Sequence, residues 1–398
     1  MTLLDRMRRR RRERRAEDVS WQALAALAPT GVGVNARMAE NLSTVLACVS
    51  AISTAIASLP AWVYRRDGEG RAVADGHAAM RLIRRGPNQH QTWPDFVEWL
   101  VASTLLRGNG LAEIVTGRAG AVTALAPIPW EWVSVQLLAN GRLAYDVTEM
   151  TSLGGGAGRS RRLLQDEVLH LRDRTDDGLV GRSRLQRAAA TVRAGLAVQD
   201  FAAATYDNGA HPSGVLEAEG KLSEAALGEL QRHFADAFTG QKNAAKAMVL
   251  DQGLKWKSVS ISPEDAELLA SRRFSTEELA RIFGCPPPII GDLSHGTFTN
   301  SETAGRWFAM HTMLPWLRKL EAEFARSVFS DDDRDSHHLE LDLTGFLRGD
   351  PETRWKSHEI GVRNGILTPN EVRLAEGWNP RDDGDTLRAP QPAREAAA

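Results

Sequence analysis

The feature that most constrains the fold is a pair of long helical segments separated by a unit too small to build a core of its own. Apolar side chains at helical spacing mark one side of the first segment, residues 182–209. The second segment, residues 262–285, opens with the sequence SPED, which combines an N-cap serine, a proline in the first turn and an acid that reaches back to the cap. The intervening residues 210–261 predict a strand, a helix and two further strands. A unit of this size buries little apolar surface, so we expect it to project from the two helices.

The N-terminal half of the chain predicts a mixture of helices and strands, which places the fold in the α+β class. Between residues 42 and 63, the larger apolar side chains fall on one helical stripe, formed by Val45, Val49, Ile52, Ile56 and Leu59. Serines, threonines and Pro60 interrupt this stretch. It therefore predicts a packed helix and not a membrane span.

Capping and turn residues define the other elements of this half. Thr92 and Asp95 form an N-cap pattern for a helix that runs to Leu106. Hairpins and strands are predicted at Trp62–Val73 around Asp67-Gly68, Leu111–Val115, Val133–Leu138, Leu143–Val147 and Glu167–Leu171. The two strands on either side of Asn140-Gly141 are expected to be joined by a type I′ turn, and residues 152–158 to form a flexible loop.

The C-terminal part begins with a stretch rich in proline and glycine. Three consecutive prolines, residues 286–288, are expected to end the second long helix. The connection that follows, to about residue 301, is long for a segment without regular structure, which is typical of a functional loop. A third long helix is predicted over residues 302–330, with a kink at Pro315. An acidic run at residues 331–335 is expected to be a solvated helix end, followed by a strand at Leu339–Leu343, a short helical region near Asp350 and a polar tail from about Leu387.

The charge distribution argues against a surface that grips DNA. The formal net charge is −2, and the first 20 residues carry eight arginines against four acids, which leaves the rest of the chain at about −6. A domain that binds DNA tightly is usually basic. The basic arm, residues 1–39, is predicted to be disordered. It is either a solvated tail or a tether for DNA or an acidic partner.

Apolar content and cysteine usage indicate an intracellular protein with a substantial core. At 398 residues and 42% apolar content, the chain is long enough for two or three domains. Cys48 and Cys285 lie in apolar surroundings without the spacing of a zinc site or disulfide framework, so both are expected to be inert core thiols in a reducing cytoplasm. The arginine-rich start is not followed by an apolar signal segment, so export is not expected.

Motifs for catalysis, cofactors or metal ions are not found. The sequence lacks GxxxxGK[ST] and HExxH, and the acidic run at residues 331–335 lacks the glycine and terminal glutamate of a calcium loop. His337 and His338 would point to opposite faces of a strand, so a metal ion shared by that pair is not expected. We predict no catalytic residues, no cofactor and no metal site.

Several segments resemble the portal proteins of long-tailed bacteriophages. Residues 77–114 contain a "PN" turn before a helix and a "GN" after it, a pattern found in these proteins. Gly181, Ser183 and Leu185 are similar to the family's "G-x-S-x-L" start of its first stem helix, and residues 208–214, NGAHPSG, resemble the end of that helix. The sequences ARIFGCPPPIIGDLSHGTFTNSE, LDLTGFLRGD and GILTPNEVR are similar to three later family segments. The resemblance covers roughly residues 40–380.

This resemblance implies a ring-forming portal fold with a defined layout. The parts are a disordered arm (1–39), a mixed α/β wing (40–181 and the kinked helix 302–330), two long stem helices (182–209 and 262–285), a small β-α-β clip (210–261), a tunnel loop (286–301) and a small C-terminal crown with its tail (331–398). The family's subunits assemble, usually as twelve copies, into a ring at one capsid vertex.

The resemblance also implies partners and a place in the particle. The ring would conduct double-stranded DNA without sequence specificity during packaging and ejection. It would contact the major capsid protein, and it would dock the large terminase subunit and later the head-tail adaptor. The expected location is the virion, with the host cytoplasm during assembly, and no membrane contact. The sequence does not separate an infectious phage from a gene transfer agent.

Two groups of residues are candidates for these contacts. For DNA passing through the ring, they are Asp292, His295, Thr297, Thr299 and Asn300; the alternative is a surface loop without DNA contact. Lys242 and Lys246 could bind DNA at the channel mouth, bind terminase or an adaptor, or simply increase solubility. Alternative functions for the whole chain are a nuclease associated with DNA packaging, or another head-completion or adaptor protein.

Overall fold

The computed structural model describes residues 35–68, 70–117, 120–149, 159–207, 214–217, 228, 232, 255–258, 275–293, 298–344 and 351–387. The chain divides into two compact units, residues 1–341 and 342–398. The described helices are α1 (Ala36–Ala39), α2 (Ser43–Ala57), α3 (Ala78–Arg85), α4 (Trp93–Arg107), α5 (Arg184–Arg187), α6 (Ala189–Asp207), α7 (residues 275–283), α8 (Phe298–Trp307), α9 (Leu314–Ser327), α10 (Pro351–Arg363) and α11 (Pro369–Ala375).

The described strands form four small antiparallel sheets. They are β1 (Ala61–Asp67), β2 (Gly70–Val73), β3 (Asn109–Thr116), β4 (Val122–Ile128), β5 (Val133–Leu137), β6 (Leu143–Glu149), β7 (Arg159–Leu164), β8 (Val168–Arg172), β9 (Gly214–Glu217), β10 (Lys255–Ser258) and β11 (His337–Leu341). Their orders are β11-β1-β2, β4-β3-β8, β5-β6-β7 and β10-β9.

The predicted N-terminal helices are confirmed together with their physical basis. In α2, the stripe residues Val45, Val49, Ile52 and Ile56 are all buried, and the helix packs against α4. Thr92 and Asp95 form the predicted capping box at the start of α4, and a left-handed glycine, Gly108, ends it. The helix α3 was not predicted.

The sheets β4-β3-β8 and β5-β6-β7 share one apolar core. Its buried members come from five strands: Leu111, Ile128, Leu143, Tyr145, Val147, Leu163 and Val168. The sequence predicted β3, β5, β6 and β8 but not β4 or β7. In β7 the sequence RSRRLL carries three arginines, and those at 161 and 162 are held by acids on neighbouring strands. These ion pairs compensate for a composition that does not favour a strand.

The turn between β5 and β6 differs from the prediction. The Gly141 N–H donates to the Leu138 carbonyl at 2.9 Å, so the turn spans residues 138–141 and its central residues are 139 and 140. Gly141 then takes a φ of 78° after the turn. This is the three-residue hairpin connection with a left-handed glycine, and it replaces the expected type I′ turn. The hairpin at Asp67-Gly68 is confirmed, with Asp67 opposite Gly70.

The long helical segments are confirmed in their described parts, with corrected boundaries. Ser183 caps α5, and Ala188 interrupts the helix before α6, which ends at Asp207. The second segment ends at Phe283 and is followed by a left-handed glycine, Gly284, two residues before the first of the three prolines that were expected to end it. At Gly195 of α6, an added Cβ would lie 3.1 Å from the Ser275 hydroxyl, so α6 and α7 pack closely there.

The paired strands β9 and β10 agree with two of the three strands predicted in the intervening unit, whose other residues mostly lie outside the described ranges.

The third long helix contains a π-helical segment where a kink was predicted. The helix begins at Phe298 as α8, changes to π-helix over Phe308–Met313 and resumes as α9. Pro315 lies just after the π segment, at the start of α9. Because proline lacks an N–H and its ring clashes with the preceding turn, the wider turn accommodates it. The C-terminus of α9 is Ser327, three residues before the predicted end.

The C-terminal unit is held together by its own contacts. Glu376 accepts a hydrogen bond from Arg354 at 3.0 Å and lies 3.0 Å from the His358 ring, which ties α10 to the end of α11. A capping box formed by Thr368 and Glu371 starts α11. The predicted helical region after Asp350 is thus α10, and α11 was not predicted. In the part of the chain that the structure describes, no helix is long and apolar enough to cross a membrane.

Candidate functional site

The first long helical segment is joined to the sheet β4-β3-β8 by a close backbone contact. The chain leaves α4 through Gly108 and enters β3 at Asn109, while the returning chain passes through Gly181 to the cap of α5. The Asp173 N–H donates to the Gly108 carbonyl at 2.9 Å. We call this contact between residues 108–110 and 181–183 the junction.

Glycine is required on both sides of the junction. Gly108 has a φ of 83°, and a Cβ added there would lie 2.6 Å from the Ser183 nitrogen. A Cβ added to Gly181 would overlap the carbonyl oxygen of Gly108. Two main chains therefore pass so closely that neither residue can carry a side chain.

A buried asparagine joins the two chains at the junction. The Asn109 amide group donates to the Gly181 carbonyl at 2.8 Å, and its oxygen accepts from the Gly181 N–H at 2.8 Å. The same oxygen lies 2.9 Å from Nε2 of His170. On the other side of that ring, Nδ1 lies 2.9 Å from the Tyr145 hydroxyl and accepts from Arg172 at 3.1 Å.

These contacts assign the protonation state of His170. Because the arginine can only donate to Nδ1, that nitrogen is unprotonated and the proton lies on Nε2, where it donates to Asn109. Burial lowers the pKa of His170 well below its usual value, and the charges of Arg172 and Arg326 lower it further. The ring is therefore neutral. Burial also raises the pKa of Tyr145 and keeps its hydroxyl protonated.

Arg184, in the first turn of α5, connects the junction to two other helices. Its guanidinium donates to the buried Asp173 carboxylate at 3.0 Å and to the Phe283 carbonyl at 2.7 Å. It also lies over the Trp316 ring, 5.4 Å from the centroid. Phe283 is the last residue of α7, so the positive charge sits where the carbonyls of that helix lack partners and its dipole is negative. One side chain thus ties the start of α5 to the end of α7 and to α9.

The Pro-Gly segment, residues 284–293, follows α7 directly. Gly284 has a φ of 71°, and the Cys285 N–H donates to the Ala280 carbonyl at 3.0 Å. A 3₁₀ turn at Pro287–Ile290 comes next and ends at Gly291, whose φ is 85°. The Thr312 hydroxyl, from the π-helical segment, donates to the Gly284 carbonyl. Two left-handed glycines therefore bound a short, locally hydrogen-bonded turn.

The structure changes the boundaries of the predicted tunnel loop, residues 286–301. Asp292 lies just after the 3₁₀ turn, where its N–H donates to the Pro287 carbonyl at 3.0 Å. Thr299 and Asn300 lie in the first turn of α8 and not in a loop. Threonine and asparagine are unfavourable inside a helix, but they are tolerated in its first turn, where the backbone N–H groups have no partner within the helix. His295, Thr297, Lys242 and Lys246 lie outside the described residues.

Sequence reasoning identified the correct segments at the junction but not its polar partners. Gly108, Asn109 and Gly181 belong to the motifs that resemble the portal family, whereas His170, Tyr145 and Arg184 were not predicted to have a role. An isolated histidine in an apolar strand carries no local signal of its partners. Cys48 and Cys285 are both buried, as expected, and the hydrogen bond between them, together with burial, raises the pKa of the Cys48 thiol. Their proximity was not predicted.

Comparison with known proteins gives consistent matches along most of the chain. The model of the family described as "Phage portal protein" matches residues 43–377. The portal protein of Enterobacteria phage HK97 is 29% identical over 357 residues, covering 88% of this chain and 82% of that protein. The probable portal protein of Streptomyces phage phiC31 is 30% identical over 374 residues, covering 92% and 81%.

Solved structures of a gene transfer agent are similar in fold. Chains from its native virion and from its neck computed with C12 symmetry are both 26% identical to this chain. Each match covers 90% of this chain and 98% of the other, with TM-scores of 0.58 and 0.57.

Proposed function

Since this protein belongs to the phage portal protein family, we propose that it forms the ring through which double-stranded DNA enters and leaves a capsid. Portal proteins are structural proteins. This protein is accordingly a component of a virion or a related particle, and it assembles as a homo-oligomeric ring. Twelve subunits are the proposed number, in agreement with the C12 symmetry of the gene transfer agent neck. The particle is either an infectious phage or a gene transfer agent.

The observation that carries this proposal is the junction. A ring that encloses moving DNA must hold its helical stem at a constant angle to the rest of the subunit. At the junction, Asn109 forms hydrogen bonds with the N–H and the carbonyl of Gly181, and Arg184 donates to the last carbonyl of α7. Fully satisfied buried polar networks specify one geometry, because any rearrangement leaves unpaired polar groups.

The layout proposed for the subunit follows from this arrangement. Residues 182–209 and 262–285 form the stem, residues 210–261 the clip, and residues 40–181 with 302–330 the wing. The tunnel loop shortens to residues 286–297, because α8 begins at Phe298. The crown is proposed to start after residue 331.

The proposed partners are those of the portal family. The sequence has no GxxxxGK[ST] motif, and we propose that the large terminase subunit docks on the clip and supplies the energy of ATP hydrolysis. A head-tail adaptor would take its place after packaging, and the major capsid protein would surround the wing. Lys242 and Lys246 are proposed contacts for terminase or adaptor. Assembly is proposed to take place in the host cytoplasm.

DNA contact is proposed to be weak and to involve the tunnel loop. Strong phosphate contacts would hold DNA in place, whereas a near-neutral or acidic wall lets it slide. Asp292 provides negative charge beside the left-handed Gly291, and His295, Thr297, Thr299 and Asn300 follow it. Non-specific passage requires no base recognition.

Electron microscopy of the full-length protein in negative stain tests ring formation. We expect rings with a central hole of about the width of DNA. Persistent monomers under assembly conditions would contradict the proposal. Nuclease activity with Mg²⁺ or Mn²⁺ that is lost on single acidic substitutions would instead support the packaging nuclease, and a ring that binds no terminase would support another head-completion protein.

Substitution in the tunnel loop tests the DNA contact. Asp292→Lys places one positive charge per subunit on the proposed channel wall, and we expect normal rings but slower packaging in a complementation assay. Asp382→Lys, in the C-terminal unit, is the charge-matched control. Equal packaging by both variants would show that Asp292 does not face the DNA.

A further inference from the structure

His77, Asp333 and His337 come together from three separate elements of the first unit. His77 is the residue before α3, Asp333 lies in the turn after α9, and His337 begins β11. One ligand atom from each residue lies within 4.8 Å of the other two. Nε2 of His77 is 3.4 Å from one Asp333 oxygen, and Nδ1 of His337 is 3.7 Å from the other.

From this geometry we infer that His77, Asp333 and His337 form a binding site for a divalent transition-metal ion of the zinc class. Two imidazoles and one carboxylate are a typical ligand set for Zn²⁺ and its neighbours. Bonds of about 2.0–2.2 Å to a tetrahedral ion place ligand atoms roughly 3.3 Å apart, close to the two distances observed. A small contraction would complete the site.

The surroundings hold these three side chains in place. The Ser330 hydroxyl donates to Asp333 at 2.6 Å, and the Ser336 hydroxyl lies 2.9 Å from Nδ1 of His337. The His77 and His337 rings stack at 4.7 Å, and Phe329 packs its edge against His77 at 5.4 Å. Such supporting contacts orient ligands before an ion arrives.

The site also has an access path. His77 and Asp333 line an open cavity of about 690 Å³, which has room for an entering ion and for a water molecule as a fourth ligand.

Metal binding requires two changes in hydrogen bonding. The Ser336 hydroxyl must release Nδ1 of His337 when that nitrogen binds an ion. The second change is at His77. Nδ1 of His77 now accepts from the Ala79 N–H at 3.1 Å and caps α3, so its proton is on Nε2. When Nε2 binds an ion, the proton moves to Nδ1 and this cap is lost. The affinity is therefore lower than that of a preformed site. The bound ion would link the residue before α3 to β11 and to the turn after α9.

The site was missed because its members are far apart in sequence. The expectation that His337 and His338 do not share an ion agrees with their different neighbours, since His338 stacks on Tyr64. The acidic run was expected to be a solvated helix end, yet Asp333 points toward His77, which lies more than 250 residues earlier in the chain. The pairing of β11 with β1, which sets His337 opposite Arg65, brings these distant parts of the chain together.

Zinc titration of the full-length protein, after chelation and removal of any affinity tag, tests the inference. Calorimetry should show one ion bound per subunit, Co²⁺ should give the visible absorption of a site with nitrogen and oxygen ligands, and zinc should raise the thermal unfolding midpoint. His77→Gln, Asp333→Asn and His337→Gln should each weaken zinc binding at least about tenfold. His338→Gln and Asp331→Asn are the matched controls and should bind as the original protein does.

A ligand-retaining variant covers the case in which His337→Gln fails to fold. His337→Cys keeps a zinc ligand and should bind zinc where His337→Gln does not. The inference is wrong if the original protein binds no zinc, if the controls lose binding as much as the three site variants, or if the site variants bind as well as the controls.

Discussion

The junction and the Pro-Gly segment both depend on glycine, but for different reasons. At Gly108 and Gly181, an added Cβ would meet backbone atoms of the opposing chain. At Gly291, with a φ of 85°, an added Cβ would have nothing within 4 Å. The first pair is required by a long-range contact, whereas the second position needs only a local backbone conformation.

The junction is therefore the fixed part of the subunit, whereas the Pro-Gly segment can change its conformation independently. Around the junction, the polar groups of Asn109 and His170 all have buried partners, so moving one chain disrupts several hydrogen bonds. The Pro-Gly segment is held mainly by its own turn hydrogen bonds, and Gly291 and Leu293 are exposed. For a DNA channel, we expect the stem angle to be constant while the Pro-Gly segment adjusts.

The largest effect is expected for Gly181→Ala. The added methyl group overlaps the Gly108 carbonyl, and backbone on both sides must separate, so we expect a loss of at least about 4 kcal/mol in the free energy of unfolding. Urea denaturation measures it. Gly76→Ala is the matched control, since nothing lies within 4 Å of its added Cβ. If Gly181→Ala lowers the free energy of unfolding by less than about 1 kcal/mol, a loss close to that of an ordinary surface substitution, the two main chains of the junction can separate at little cost.

Asn109→Ala should cost about 3 kcal/mol. It leaves both backbone groups of Gly181 and Nε2 of His170 buried without their present partner, and each unsatisfied group costs roughly 1–3 kcal/mol. The same denaturation experiment measures the change. Asn140→Ala, at an exposed turn, is the control. If Asn109→Ala behaves like Asn140→Ala, the network does not stabilise the junction.

A smaller effect is expected from acid. Because the pKa of His170 is lowered in the folded protein, the unfolded chain binds a proton that the folded protein does not, once the pH falls below the unfolded value of about 6.5. Stability then decreases by up to about 1.4 kcal/mol per pH unit, and above pH 6.5 this contribution is constant. His170→Gln should have a shallower slope between roughly pH 6.5 and 5. Equal slopes would mean that His170 is protonated in the folded protein.

The smallest effect is expected for Gly291→Ala. With open space around the new methyl group, the cost is limited to the left-handed backbone, about 1–2 kcal/mol. Thermal unfolding of the purified protein measures the change, with Gly305→Ala in α8 as a control that has ordinary φ and open space. A loss as large as that of Gly181→Ala would remove the distinction between the two regions.

Much of the fold was predictable because its signals are local. The capping box at Thr92, the stripe of α2 and the hairpin at Asp67-Gly68 depend on residues within a few positions of one another. The junction glycines were also found, through their resemblance to family motifs. The strand β7 was missed because its arginines depend on acidic partners on other strands. At Pro315 the sequence predicted a kink but not the π-helical segment that accommodates the proline.

The sequence by itself determined the class of protein, many of its helices and strands and the segments that form the junction, since periodicity, caps and motif spacing are local properties of the chain. Only the tertiary structure decided the partners at long range. His170 lies within hydrogen-bonding distance of Asn109, Arg184 donates to the Phe283 carbonyl, and His77 lies 3.4 Å from Asp333. In each pair the two residues are at least 61 positions apart in the sequence. Which polar groups meet depends on strand register and helix packing, and these are properties of the folded chain as a whole.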